Sequence, residues 1–325
     1  MLVSTIILYF LAAFGLASLI LIGMVATPLP KPEPLDFITQ GALQIDQTSQ
    51  PNLSTFQARD GTHLTYRAYP SRLSKSDHTI LLVHGSSAQS VEMNQIATSF
   101  AASGFNAIAL DIRGHGASGQ RGDIAYIGQL EDNLQDLLFE LRKENENSRF
   151  TLVGHSLGGG FAARIAASFL NKDFEHFILL APYLGPSAPT SGEGNNAWAK
   201  VNLPRIIALD ILNRFGVSIG QSLPVIAFAN DSSSQKYVTS VYSYRLLVNF
   251  GAGFNWRITK SALSRAALRI SILVGADDEL MISSAFQREL EPLGIDVKVL
   301  PSINHMGIVN QPHAIAKLID TVNHP

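Results

Sequence analysis

Six short apolar runs recur between residues 79 and 300, each followed by a stretch with helical spacing or by a turn. They are Thr79–His84, Phe105–Asp111, Phe150–Gly154, Phe177–Leu180, Ile270–Val274 and Val297–Leu300. Strands that read as continuous apolar runs, without polar alternation, are buried on both faces. The pattern therefore predicts a mostly parallel sheet with helices on either side. The helices are expected at Val91–Ser103, Gln129–Asn145, Leu157–Asn171, Ser283–Leu290 and His313–Val322. Ahead of them, Thr55–Asp60 and His63–Tyr69 flank the turn pair Asp60-Gly61, which reads as a hairpin.

The alternation fails once, between Ala181 and Ser271. That stretch is too long for a loop and too short for an enzyme domain of its own. Residues 184–268 are expected to form a helical cap, inserted into a body made of 51–183 and 269–325. The cap carries eight bases against three acids, a net +5, while the rest of the chain carries 16 bases and 23 acids, a net −7. One reading is a packed lid whose basic face meets solvent. The other is a lid that lines an apolar acyl pocket and faces anionic lipid headgroups.

The N-terminus has a different pattern. No Asp, Glu, Lys, Arg or His occurs from Met1 to Pro30, and Leu2 to Ala26 is interrupted only by Ser4, Thr5, Tyr9 and Ser18 among polar residues. Roughly 20 such residues cross a bilayer as a helix. No basic side chain precedes the run, and Met24-Val25-Ala26-Thr27-Pro28 is a poor cleavage site, so 1–27 reads as an uncleaved membrane anchor in preference to a signal peptide. Lys31 alone flanks it, which leaves the side of the membrane open. Pro28, Pro30, Pro32 and Pro34 begin a stiff linker over 28–50.

Composition narrows the chemistry. The 325 residues are 46% hydrophobic and 15% charged, with a net charge of −2 and no cysteine. Disorder, bulk-charge binding of nucleic acid, thiolate catalysis and cysteine-held metals are excluded. No cofactor or metal is expected, because neither a Walker loop nor an H-E-x-x-H pair is present. Residues 114–119 match G-x-G-x-x-G, but no helix pattern resumes until Gln129, so they are not a dinucleotide site.

The sharpest signal is Gly154-His155-Ser156-Leu157-Gly158, which follows an apolar run and opens a helical one. A serine on such a strand-to-helix turn projects its hydroxyl from the sheet edge, and the flanking glycines leave room for the turn. The Leu157 amide at the helix start is a candidate oxyanion donor, and the Ser86 amide, after His84-Gly85, is the second. A nucleophilic serine needs a base, and the base needs an orienting acid. His305 follows the last apolar run, and Asp277-Asp278 follows the one before it. Asp278 is the first choice of acid and Asp277 the second, with one of the two expected to cap the helix at Ser283. His84 is expected to be a structural hydrogen-bonding residue. His313 and His324 should lie on the surface.

These residues resemble a known family. His84-Gly85, Asp111-Ile-Arg-Gly-His-Gly-Ala-Ser118, Gly119-Gln-Arg-Gly122 and Gly154-His-Ser-Leu-Gly-Gly159 are similar to the α/β-hydrolase superfamily, and within it to the monoacylglycerol lipase and lysophospholipase group. The resemblance is specific over about 79–160, weaker over 269–310 and essentially absent in the cap. It implies an α/β-hydrolase fold, with Ser156 as nucleophile, Asp278 as acid, His305 as base and the Ser86 and Leu157 amides as oxyanion hole. It also implies a cap that binds the acyl chain. Two departures stand out: the Ser86-Ser87-Ala88-Gln89 loop lacks the acidic–His pair that often follows this turn, and the membrane segment is not general in the group. The expected function is a membrane-anchored serine hydrolase of lipid esters such as monoacylglycerols or lysophospholipids. A perhydrolase or small-ester esterase on the same triad, and a non-catalytic binding protein with this fold, remain as alternatives. No nucleic-acid partner is expected.

Overall fold

The computed structural model describes residues 2–35, 49–73, 75–230 and 238–324. Helix α1 spans Leu2–Ala26. The hairpin strands β1 (Leu53–Gln57) and β2 (His63–Tyr69) follow, then β3 (His78–Val83), a 3-10 turn at Ser90–Met93, α2 (Asn94–Ala102) and β4 (Asn106–Leu110). Next come α3 (Gln129–Glu144), β5 (Arg149–His155), α4 (Leu157–Ala166) and β6 (His176–Leu180). The chain then leaves the sheet and forms α5 (Gly194–Trp198), β7 (Ala199–Val201), α6 (Leu203–Arg214), β8 (Pro224–Phe228), β9 (Val241–Ser243), α7 (Tyr244–Phe250) and α8 (Trp256–Ser264). It returns through β10 (Ile270–Gly275), α9 (Ser283–Leu290), β11 (Asp296–Leu300), α10 (Gly307–Asn310) and α11 (Pro312–Asn323).

The main sheet has eight strands in the order β1-β2-β4-β3-β5-β6-β10-β11. The β1–β2 and β2–β4 pairs are antiparallel and all others parallel, which is the mostly parallel sheet that the apolar runs predicted and the α/β-hydrolase fold that the resemblance implied. Ile80 to Val83 and Leu152-Val153 are fully buried, as central strands covered on both faces must be. The hydrophobic term gathers here, and the strand ends carry the polar groups to one edge.

Local departures have local causes. Helix α4 stops at Ala166, not Asn171, because Ser168 restarts the chain as a 3-10 turn by accepting the Leu170 amide. The helix expected from Val91 begins as a 3-10 turn before α2. Neither Asp277 nor Asp278 caps α9; its N-cap is Ile282, with no side-chain bond. Residues 114–119 form a glycine turn closed by a His115–Ser118 bridge, with α3 opening only at Gln129.

The segment between β6 and β10 also departs from expectation. Besides helices it contains a three-stranded antiparallel sheet, β7-β8-β9. Strands of three to five residues are too short to show a period of two. Part of its basic excess is paired, while Lys200, Arg257 and Arg265 are exposed. Arg245 forms two bonds to the Asp123 carboxylate and one to the Ala125 carbonyl, Lys260 pairs with Glu289 and Arg214 with Asp210. Opposite net charges on the two parts are used in part to fasten them together. Asp231, Lys236 and Tyr237 of this segment lie outside the described residues, as do residues 36–48 of the linker. Pro28–Leu35 is not a free spacer: the Leu35 amide donates to the Ala229 carbonyl, 3.3 Å away.

Candidate active site

Ser156 sits between β5 and α4 with φ 52° and ψ −116°. A non-glycine residue at positive φ is strained, and the neighbouring backbone must hold it there. The Ser156 amide donates to the Leu180 carbonyl at 2.9 Å, and the Ser156 carbonyl accepts from the Tyr183 and Gly160 amides at 2.9 and 3.1 Å. The flanking glycines are required by space. A Cβ on Gly154 would lie 2.1 Å from the Gly158 carbonyl oxygen, and one on Gly158 would lie 2.3 Å from the His84 carbonyl oxygen. The turn is tight because the helix starts against the end of β3.

The loop after β11 brings in His305, which is almost fully buried. Its Nδ1 lies 2.9 Å from Oδ2 and 3.1 Å from Oδ1 of Asp278, from the loop after β10. Asp277, the second choice, is exposed. Asp278 Oδ1 also accepts the Leu280 and Met281 amides, at 2.9 and 2.8 Å. Burial alone would raise the Asp278 carboxyl, but His305 and these amides hold it below the usual carboxylate range. Burial alone would lower His305, yet Asp278, Glu92 and Glu279 together raise it. The carboxylate fixes Nδ1 as a donor, which leaves Nε2 free to accept a proton.

Glu279 was not singled out in the sequence. Its carboxylate accepts the His305 amide at 3.0 Å and the Asn304 side-chain amide at 3.3 Å, so it holds the loop that carries the imidazole. It lies one residue after Asp278, and the run Asp277-Asp278-Glu279 offered three acids with no signal to divide their tasks.

The loop after β3 approaches from the other side. A Cβ on Gly85 would lie 3.1 Å from His155 Nδ1 and 3.4 Å from Ser156 Cβ, so only a glycine lets the loop come this close unhindered. Ser87 has φ 68°, and the segment between β6 and β10 grips it. Its amide donates to the Tyr242 hydroxyl at 2.6 Å, its carbonyl accepts the Thr239 amide at 2.8 Å, and its Oγ accepts from the Asn230 side chain at 2.7 Å. Trp198 Nε1 donates to Ser86 Oγ at 2.9 Å.

Two buried histidines complete the support. Tyr242 lies 2.7 Å from His115 Nε2, and burial holds His115 well below its usual range, so the neutral ring accepts the tyrosyl proton. His84 accepts the Ile112 amide at Nε2 and donates through Nδ1 to the Gly85 carbonyl, the structural pattern expected of it. His313 and His324 are exposed, as expected.

Ser86, Ser156 and Leu157 border a cavity of about 210 Å³. Its other walls come from the segment between β6 and β10, with Trp198, Ile206, Ile226, Phe228, Leu247 and Phe254 among them. Among the described residues, none of those bordering it is Asp, Glu, Lys or Arg. One end of the cavity is therefore a set of hydrogen-bonding groups around a strained serine, and the remainder is mostly apolar, with Tyr183, Asn195 and Asn196 also on its walls. Among the described residues, no cluster of His, Asp and Glu could hold a metal ion.

Known proteins share this architecture. A family model described as serine aminopeptidase, S33, matches residues 74–310. An uncharacterized protein of Mycobacterium tuberculosis is 26% identical over 276 residues, covering 77% of this chain and 76% of its own. Among solved structures, a monoglyceride lipase from Saccharomyces cerevisiae superposes with a TM-score of 0.63 at 16% identity, over 85% of this chain and 94% of that one. A monoacylglycerol lipase from Paleococcus ferrophilus gives 0.57 at 18% identity, over 80% and 97%. A membrane phospholipase A gives 0.54 at 17% identity, over 98% of each chain.

Proposed function

We propose, for a chain that belongs to the Hydrolase_4 family (serine aminopeptidase, S33), that it is a serine hydrolase of carboxylic esters whose acyl group occupies the apolar cavity. A hydrolase of lipase or esterase type is the coarser statement that the family and the fold support. The single observation behind the finer one is the composition of the cavity. A serine on a strained turn opens into a space walled by Ile, Leu, Phe and Trp side chains. An aminopeptidase must neutralise the free amine of its substrate, and no carboxylate is among the described residues that border this cavity. An acyl chain needs only the hydrocarbon.

In this mechanism His305 Nε2 takes the Ser156 proton while Asp278 steadies Nδ1. The Ser156 oxygen attacks the ester carbonyl, and the Leu157 and Ser86 amides receive the oxyanion. Leu157 is the first residue of α4, where an amide has no partner within the helix and the helix dipole favours negative charge. His305 then protonates the departing alcohol, and water repeats the cycle on the acyl-enzyme. The segment between β6 and β10, about 184–268, acts as the cap.

Membrane anchoring by α1 belongs to the same proposal. The helix has a mean hydropathy of 2.5 and its side chains are unburied. Its C-terminal end is tied to the cap. Arg205, itself nearly buried, donates to the Val25, Thr27 and Pro224 carbonyls, and Asn202 donates to Thr27 and Pro28 at 2.9 and 3.0 Å. Loss of α1 alone would remove only the Val25 acceptor, because Thr27 and Pro28 lie beyond its end. Monoacylglycerols or lysophospholipids fit such a site better than short soluble esters. The test is a panel of esters of increasing acyl length alongside both lipids: kcat/KM should rise with chain length, and a preference for acetyl esters would remove the lipid reading. Alkaline carbonate should leave the full-length chain in the membrane fraction and release a chain lacking residues 2–26.

A further inference from the structure

A second buried carboxylate–imidazole pair lies directly behind the one just described. Glu92, in the 3-10 turn after β3, is buried. Its Oε1 accepts the Gly85 amide at 2.8 Å and lies 2.8 Å from His155 Nδ1. On the far side of that ring, His155 Nε2 lies 3.2 Å from the His305 carbonyl oxygen. The His155 and His305 rings pack with centroids 4.8 Å apart. One carboxylate thus fixes the glycine that precedes Ser86 and, through one imidazole, the backbone of His305.

The hydrogen-bond pattern determines what the ring carries. A carbonyl oxygen only accepts, and so does an ionised carboxylate. A neutral imidazole donates from one nitrogen and accepts at the other, so it could satisfy one of these partners and not both. Burial alone would raise Glu92, but His155, His84 and the Gly85 amide outweigh that and hold it below the usual carboxylate range, so it remains an acceptor. We infer that His155 donates through both ring nitrogens, and that the Glu92–His155 pair is a positioning device that keeps the oxyanion loop and the catalytic base in register across Ser156. Glu92 and His155 are positioning residues, since neither borders the cavity. The other titratable groups facing the pair are His84 at the end of β3 and His305, the latter itself flanked by Asp278 and Glu279. The Glu92 charge also helps to raise His305. The positioning role rests on the triad reading above; the state of the His155 ring does not.

The test uses the full-length chain in detergent, with ¹⁵N-labelled histidine. The His155 signals, identified by their loss in His155→Gln, should show both ring nitrogens protonated at neutral pH. In Glu92→Gln one of the two should lose its proton. That variant should lose about 10²-fold in kcat, the scale of a small misplacement of reacting groups, with KM within about threefold of wild type. A ring with one bare nitrogen in the wild type overturns the inference, even if Glu92→Gln fails to fold. An unchanged kcat in a folded Glu92→Gln overturns it equally. If Ser156→Ala keeps full activity, the triad reading fails while the ring signature stands; a bare nitrogen together with an inactive Ser156→Ala removes this inference alone.

Discussion

The two sides of the cavity are built on different principles. The floor comes from the ends of β3, β5, β10 and β11, and its groups are fixed by hydrogen bonds with few alternatives: Asp278 to His305, Glu279 to the His305 amide, Glu92 to Gly85. The roof comes from the segment between β6 and β10 and offers chiefly apolar surface. Hydrogen bonds are directional and lose their value within a fraction of an ångström, so they suit reacting groups. Dispersion and burial are not directional, so they suit a chain of methylenes that must slide in and out. On the proposed function, the sheet supplies the chemistry and the insertion the choice of substrate. The two meet at Ser86 and Ser87, where Trp198, Asn230, Thr239 and Tyr242 reach down from the roof.

Substitutions should separate these roles. The largest effect is expected from Ser156→Ala, which should lower kcat by about 10⁴-fold or more with little change in thermal stability. Asp278→Asn should follow, at about 10³- to 10⁴-fold, because an amide no longer selects the Nδ1–H tautomer. It should also change the pH profile. His305 must be neutral to accept the serine proton, and it charges as pH falls. Its raised value places the wild-type acid limb of kcat/KM above the ordinary imidazole range, and Asp278→Asn should shift that limb downward.

Roof substitutions should leave turnover of short esters nearly intact. Ile206→Trp, on α6 at the cavity wall, should lower kcat/KM for long-chain esters about tenfold relative to short ones. If it lowers both equally, the division of labour is wrong. The smallest effect concerns fastening. Arg245→Ala leaves a largely buried Asp123 carboxylate without its guanidinium and should cost about 1–3 kcal/mol in urea unfolding, with kcat for a short ester within twofold.

The same division explains what could be read from the chain. The central strands were legible because burial on both faces leaves an unbroken apolar run, and the expected Ser283–Leu290 helix coincides with α9. Ser156 was conspicuous because the tight turn demands glycine on both sides, which leaves a mark in the sequence. Glu92 left none: a lone glutamate in Ser90-Val91-Glu92-Met93 looks like a solvated helix face until the fold buries it against His155. His155 was visible only as a letter inside a motif. The roof was least legible, since β7 to β9 are short and their register depends on partners distant in the chain. Its net charge could not show that Arg245, Lys260 and Arg205 are engaged by carboxylates and carbonyls, because those partners lie far away in the chain.

The most direct test is covalent labelling of the full-length protein with a fluorophosphonate, followed by peptide mass analysis. The adduct should appear on Ser156, disappear in Ser156→Ala and form at least a hundredfold more slowly in His305→Ala. Labelling of another residue, or labelling of Ser156 at an unchanged rate without the imidazole, would contradict a serine activated by His305.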